Sequence, residues 1–289
     1  MEIRGQRSLR AIKLVISLGF YLVSCIGEVI QRLRGKAAKA KCVILYYHAV
    51  SSVQRIRFAR QMDALIRWTK PIRVDIAAPL GRGIRYAAVT FDDGFESVIE
   101  NALPELEKRN IPATIFVLAD FLGRCPGWDG WPERVMSVDQ LRKLPAHLVH
   151  IGSHTMTHPV LPSINEDQAK HELSKSRAKL EGILKRKVIL FSFPYGAFNE
   201  KLIDWCREAG YERVFTTLPV LAFTHSNEFV TGRVWADPAD WKLEFYLKLC
   251  GAYRWLPFAF ALKRKGLTSA IMRRWREHMT PRVQHRAPS

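Results

Sequence analysis

The chain alternates between short, wholly apolar runs and longer stretches with helical spacing. Cys42–Tyr47 is apolar throughout and reads as a buried strand. Tyr86–Val89, Ala113–Leu118, Val149–Ile151, Val188–Phe193 and Arg213–Thr217 read as further strands. Between them, Val53–Trp68 places Phe58, Met62, Leu65 and Ile66 on one side of a helix. Ser97–Arg109 predicts another helix, with Pro104 tolerated near its first turns or mildly kinking it. Ser137–Leu144 is a short helix and Asn165–Lys185 a long one with much charged surface. Asn199 caps a helix that runs to Ala209 and stops at Gly210. Strands alternating with helices at this spacing imply a parallel sheet or barrel.

The two ends follow a different pattern. Arg4, Arg7, Arg10 and Lys13 precede the uncharged Leu14–Gly27, and the wider window Ala11–Ile30 is about long enough to cross a bilayer. The same length also suits an interfacial helix, or a soluble one packed on the domain. Leu22-Val23-Ser24-Cys25 offers a further alternative, an exported lipoprotein anchored at Cys25. Near the other end, Trp241–Leu262 interleaves aromatic, aliphatic and basic residues, as interfacial stretches do. The expected domains are a membrane-associated segment at 1–41, a catalytic domain at 42–241 and a basic amphipathic extension at 242–289, its tail disordered.

Charge sharpens this division. Of the net +18, residues 1–41 carry +7 and residues 242–289 carry +9, which leaves +2 for the centre. Basic tails rich in apolar residues fit an anionic membrane surface better than nucleic acid, and no nucleic-acid-binding module is visible. The five cysteines are widely spaced and include no CxxC pair, so neither a thiolate zinc site nor a disulfide framework is indicated. That leans toward the cytoplasmic face of the membrane.

Candidate chemistry sits at the strand ends. Asp92 and Asp93 end an apolar strand, and Gly94 lets the backbone turn there. Adjacent carboxylates repel, so one is expected to meet a cation or share a proton. His154 and His158 lie four residues apart, on a helical turn or a tight loop, and together with one aspartate make a three-ligand set with open positions. Phe191–Gly196 ends an apolar strand in a rigid Pro194-Tyr195-Gly196 turn.

In combination and in this order, these motifs resemble the polysaccharide deacetylases of carbohydrate esterase family 4, over residues 42–241. The resemblance implies a distorted (β/α) barrel of about seven strands with its site at the strand C-terminal ends. It implies that Asp93, His154 and His158 hold a divalent metal, zinc first, with cobalt, nickel or manganese as alternatives. It makes Asp92 the general base and gives the Tyr195 backbone N–H to the oxyanion. The late Leu-x-His that supplies the acid in many members is missing. Leu45-Tyr46-Tyr47-His48 resembles the circularly permuted poly-N-acetylglucosamine deacetylase branch instead, which makes His48 the acid. The family's usual Arg is replaced by Ser192, and Arg233 is the nearest candidate to support Asp92. Trp128 and Trp131 are candidates to stack on sugar faces, and Pro194 to shape the site. The implied activity is N-deacetylation of an amino-sugar polysaccharide or glycolipid. O-acetyl ester hydrolysis and a non-catalytic membrane-binding member of the fold are the alternatives.

Overall fold

The computed structural model describes residues 2–35, 37–76, 80–128, 133–225 and 228–259. Nine strands form one sheet: β1 (Lys41–Tyr47), β2 (Lys70–Pro71), β3 (Arg85–Phe91), β4 (Ala113–Val117), β5 (Val149–Ser153), β6 (Leu190–Ser192), β7 (Arg213–Phe215), β8 (Val230–Thr231) and β9 (Val234–Trp235). The helices are α1 (Glu2–Leu33), α2 (Arg55–Trp68), α3 (Leu103–Glu107), α4 (Val138–Lys143), α5 (Glu166–Leu184), α6 (Glu200–Glu208) and α7 (Lys242–Leu249). Every strand pairing is parallel, in the order β8-β7-β6-β5-β4-β3-β1-β9, and β2 adds to β3. The result is a curled, incomplete barrel with eight strands along its path, one more than expected.

Its two edges meet in one segment. Residues 230–231 pair with β7 and residues 234–235 with β1, and only Gly232 and Arg233 lie between them. A single extended stretch therefore bridges the seam of the sheet.

Alternation along each strand sorts its side chains. Val43, Leu45, Tyr47, Ala87, Val89 and Phe91 point outward into a core shared with Phe58, Met62 and Leu65 of α2. Cys42, Ile44, Tyr86, Ala88, Phe116, Leu190 and Phe215 fill the barrel interior. Continuing the same period along β3 brings Thr90 and then Asp92 to the inner side at the strand's C-terminal end. That register is what delivers the acidic pair to the rim.

The helix starts follow local chemistry. Ser137 and Asn165 each form a capping box, with Gln140 and Gln168, and the Asn199 side chain accepts from the Leu202 N–H. The helix expected over 97–109 is broken up: Val98–Ala102 is π-helical before α3, which has Pro104 in its first turn. Proline has no N–H to donate and clashes with the preceding turn, so the ladder widens ahead of it. At the C-terminal end, α7 is shorter than the amphipathic run and stops at Gly251 (φ +69°). Phe245 and Leu249 join the main core, and the Lys248 ammonium is buried on Asp240 at 2.6 Å. Residues 260–289, the rest of the expected basic extension, lie outside the described residues.

Candidate metal and catalytic centre

The strongest interaction in the barrel interior links β3 to the seam. Arg233 is fully buried and forks onto Asp92, with Nη1 donating to Oδ1 at 2.7 Å and Nη2 to Oδ2 at 2.8 Å. Nη1 also donates to Thr90 Oγ1 at 3.1 Å and Nη2 to Ser192 Oγ at 2.7 Å. The guanidinium faces the rings of Tyr46 and Phe116, 4.8 and 5.2 Å from their centroids. Burial alone would raise the Asp92 pKa. The Arg233 charge, the His154 charge, the Arg233 hydrogen bonds and the His48 charge together outweigh it and bring the value down to about 2. Asp92 is thus an ionised carboxylate held in a dry setting.

Asp93 behaves in the opposite way. Its backbone is left-handed (φ +67°) and Gly94 follows at φ +74°, turning the chain so that the two carboxylates face different neighbours. A Cβ on Gly94 would press against Val117 at 3.1 Å, which a left-handed position could not relieve. Burial, then repulsion from Asp92, push the Asp93 pKa well above the usual carboxylate range.

The two histidines lie on a loop after β5, not on a helical turn. Thr155 (φ +74°) and His158 (φ +63°) are both left-handed, which costs most for a β-branched residue. The loop is tied at several points: Ala119 N–H donates to the Thr155 carbonyl at 3.0 Å, and His158 N–H to Thr155 Oγ1 at 3.0 Å. His154 Nδ1–H donates to the Ser192 carbonyl at 2.8 Å, which leaves its Nε2 lone pair facing Asp93. Burial lowers the His154 pKa to about 4 and holds the His158 pKa well below the usual imidazole value, so both rings are the neutral form that ligates metals.

Asp93 Oδ1 lies 3.5 Å from His154 Nε2 and 3.6 Å from His158 Nε2, is buried, and has no hydrogen-bond partner. Ligands about 2.0–2.1 Å from a tetrahedral ion would sit about 3.3 Å apart. The three side chains therefore fit a divalent cation in donor type and spacing, and they are the set of this kind found among the described residues.

The other expected residues that are described gather around them. Tyr195 is left-handed (φ +58°), 41% exposed, and packs edge-on to His158 at 4.5 Å, next to the buried Pro194. His48 is half-buried at the end of β1; burial lowers its pKa, and the Asp92 charge opposes that. Trp128 stacks against His158, with ring centroids 4.7 Å apart. Trp131 lies outside the described residues. His225, the late histidine, is exposed and lines a cavity with Val220, Leu221 and Glu228, near the Ala222–Cys42 bridge at the opposite end of the barrel.

Known proteins share this arrangement in part. A family model described as polysaccharide deacetylase matches residues 81–214. YxkH of Bacillus subtilis is 24% identical over 69% of this chain and 72% of its own length. The poly-β-1,6-N-acetyl-D-glucosamine N-deacetylase of Staphylococcus aureus is 24% identical over 50% of this chain and 52% of its own length. The solved structure of IcaB from Ammonifex degensii superposes with a TM-score of 0.63 at 27% identity, covering 75% of this chain and all of that one. Over its centre, the chain is similar to the polysaccharide deacetylases.

Against the motif usual in polysaccharide deacetylases, the chain departs at Ser192, and the structure resolves how. The Ser192 hydroxyl leaves room for the Arg233 guanidinium, which reaches the same carboxylate from the seam. One polar residue escaped the sequence reading. Glu172 of α5 accepts from Met156 N–H at 2.7 Å, Thr157 N–H at 3.0 Å and Thr157 Oγ1 at 2.6 Å, and so clamps the loop between the histidines. The signal for it was its place on the buried α5 face with Ala169, Leu173, Ser176 and Leu180.

Proposed function

We propose that this chain is a metal-dependent N-deacetylase acting on an amino-sugar polymer. The observation that carries this reading is Asp93 Oδ1, a buried, unpartnered oxygen aimed with two imidazole nitrogens at one point, beside a carboxylate kept ionised by Arg233. Asp93, His154 and His158 would hold the metal, zinc first, whose Lewis acidity would polarise the acetyl carbonyl and make water nucleophilic.

The remaining steps belong to the chain's own residues. Asp92 accepts the proton of the attacking water, and Arg233 keeps it ionised and oriented. His48 delivers a proton to the leaving nitrogen, and a lowered pKa makes its imidazolium a stronger acid. The Tyr195 backbone N–H, on its left-handed turn, donates to the developing oxyanion in this proposal. Trp128 and Pro194 form a wall on which a sugar ring can pack. His48 on the first strand, with no Leu-x-His late in the sequence, supports the permuted arrangement of the poly-N-acetylglucosamine branch. The similarity to a poly-β-1,6-N-acetyl-D-glucosamine N-deacetylase supports an N-acetylglucosamine polymer as substrate.

The test is acetate release from N-acetylglucosamine oligomers by metal-loaded and chelator-treated protein. Release that requires the metal is expected. Metal-independent release, or a metal-loaded protein inert on every N-acetylated and O-acetylated glycan, would overturn the proposal.

A further inference from the structure

Helix α1 is long and apolar enough to cross a membrane by length and composition. Its contacts are those of a helix lying against the catalytic domain. Arg10 Nε donates to Glu244 Oε2 at 2.6 Å, and Arg10 stacks on Trp241 at 4.6 Å. Ser17 is fully buried and accepts from Trp255 Nε1–H at 2.9 Å. Tyr21 pairs with Tyr246 through their hydroxyls at 2.9 Å, Ser24 accepts from Arg254 at 3.2 Å, and Glu28 pairs with Lys41. These positions follow one another at spacings of seven, four, three and four residues and so form one stripe. From residue 10 to residue 28 the stripe is about 27 Å long, nearly the ~30 Å thickness of a bilayer's hydrocarbon core.

A spanning α1 in this position would drag its partners into the lipid. Those partners include Asp240, Glu244, Arg254 and Lys41, and charged side chains are strongly disfavoured at the centre of a bilayer. Releasing α1 instead would strip Glu244 of Arg10 and uncover Ser17.

The opposite face of the helix has a different character. Val15, Leu22, Val23, Ile26, Val29 and Leu33 are exposed, Val15 at 69%, Val23 at 70% and Leu33 at 83%. At about 100° per residue this stripe lies roughly opposite the docked one. A continuous apolar patch of this kind marks a binding surface. Exposed Arg32, Arg34 and Lys39 surround its C-terminal end. Two half-exposed tryptophans border the docked side, Trp68 packed on Tyr246 and Trp241 on Arg10. Aromatic rings and basic groups around an aliphatic surface match the headgroup region of an anionic membrane.

We propose that α1 lies in the plane of the membrane rather than across it, docked on α7 by its polar stripe and sinking its aliphatic stripe into an anionic lipid monolayer. The domain then rests on its side. α1 runs from Arg10, near the rim-side residues Ala239 and Asp240, to Glu28, at the start of β1. The barrel axis is thus roughly parallel to the membrane, and the site opens along the surface.

The test uses the full chain carrying a nitroxide side chain at Ile12, Val15, Val23 or Ile30 in turn, bound to phosphatidylcholine vesicles with and without phosphatidylglycerol. Depth measurement should give a flat profile, each label about 5–10 Å below the headgroup boundary, and binding should need the anionic lipid. The exposed-face variant Val15→Asp/Ile26→Asp should lower partitioning about tenfold or more while hydrolysis of a soluble aryl acetate is unchanged. A profile deepest at Val23, with the ends at opposite faces, would overturn the proposal in favour of a spanning helix. Equal binding to neutral vesicles would overturn its anionic specificity. No vesicle binding, with a dimer in sedimentation that the double variant dissolves, would assign the face to a second copy of the chain. Each outcome is independent of whether the barrel deacetylates a glycan.

Discussion

Arg233→Met removes the charge that partners Asp92 and leaves an unbranched apolar side chain in the same buried slot. In the wild type the Asp92 pKa is brought from 3.8 to about 2 despite a burial effect that acts the other way. That shift is worth roughly 2–3 kcal/mol in favour of the ionised form. Removing one partner of a buried pair costs about 3–5 kcal/mol, a large share of a total stability of about 5–15 kcal/mol. The sign of the pH dependence separates this loss from a packing defect. A depressed folded pKa stabilises the wild type above the unfolded value, and that contribution is lost as pH falls through about 2. In Arg233→Met, burial acts with no opponent of comparable size and the folded carboxyl holds its proton more tightly than the unfolded one. The variant should therefore become more stable as pH falls from neutral toward the unfolded pKa. Urea unfolding of metal-free wild type, Arg233→Met and Arg233→Met/Asp92→Asn at neutral and mildly acidic pH reads this directly. The single variant should lose about 3–5 kcal/mol at neutral pH and regain part in acid. The double variant should be the more stable of the two at neutral pH and lack the regain. If the single variant showed no more acid regain than the double, Asp92 would not be the group that Arg233 serves.

Three further outcomes follow from the same geometry. Glu172→Gln should loosen the histidine loop and weaken metal affinity by about 10–100-fold, as loss of an outer partner does; isothermal titration with Zn2+ that matches wild type would dismiss the clamp. Asp93→Ala should lose stoichiometric metal by elemental analysis, whereas Asp92→Asn should keep it and lose about a hundredfold or more in turnover. His48→Ala should slow amide hydrolysis by about 10²–10⁴-fold and spare an aryl acetate, whose leaving group needs no proton; if His225→Ala showed that selectivity instead, the early histidine would be structural.

Much of the site was legible because its parts are local. Asp92-Asp93-Gly94 follows an apolar run, and the strand period sends Asp92 inward. His154 and His158 were legible as a pair, but their spacing fits a helical turn as well as a loop; the left-handed Thr155 and His158 that decide between them leave no mark in residue type. Arg233 could be named because Ser192 had left a place to fill. Its bidentate grip on Asp92, 141 residues away, is created by the seam, and no local pattern encodes that. The strand count fell short because β2, β8 and β9 are two residues each, too short for an apolar run to reveal. On α1, Ser24 read as part of Leu22-Val23-Ser24-Cys25. It is one of several contacts with a segment about 230 residues further on, and those contacts keep the helix on the domain.

The seam also orders events in time. A chain emerging from the ribosome delivers both aspartates and both histidines well before residue 233, so every metal ligand is present while the sheet still has two open edges. Until the last extended segment arrives, Asp92 lacks its counter-charge, and a buried carboxylate without one takes up a proton instead of accepting one from water. On the proposed function, barrel completion and the arming of Asp92 as base are a single step, and all three metal ligands precede that step in the chain.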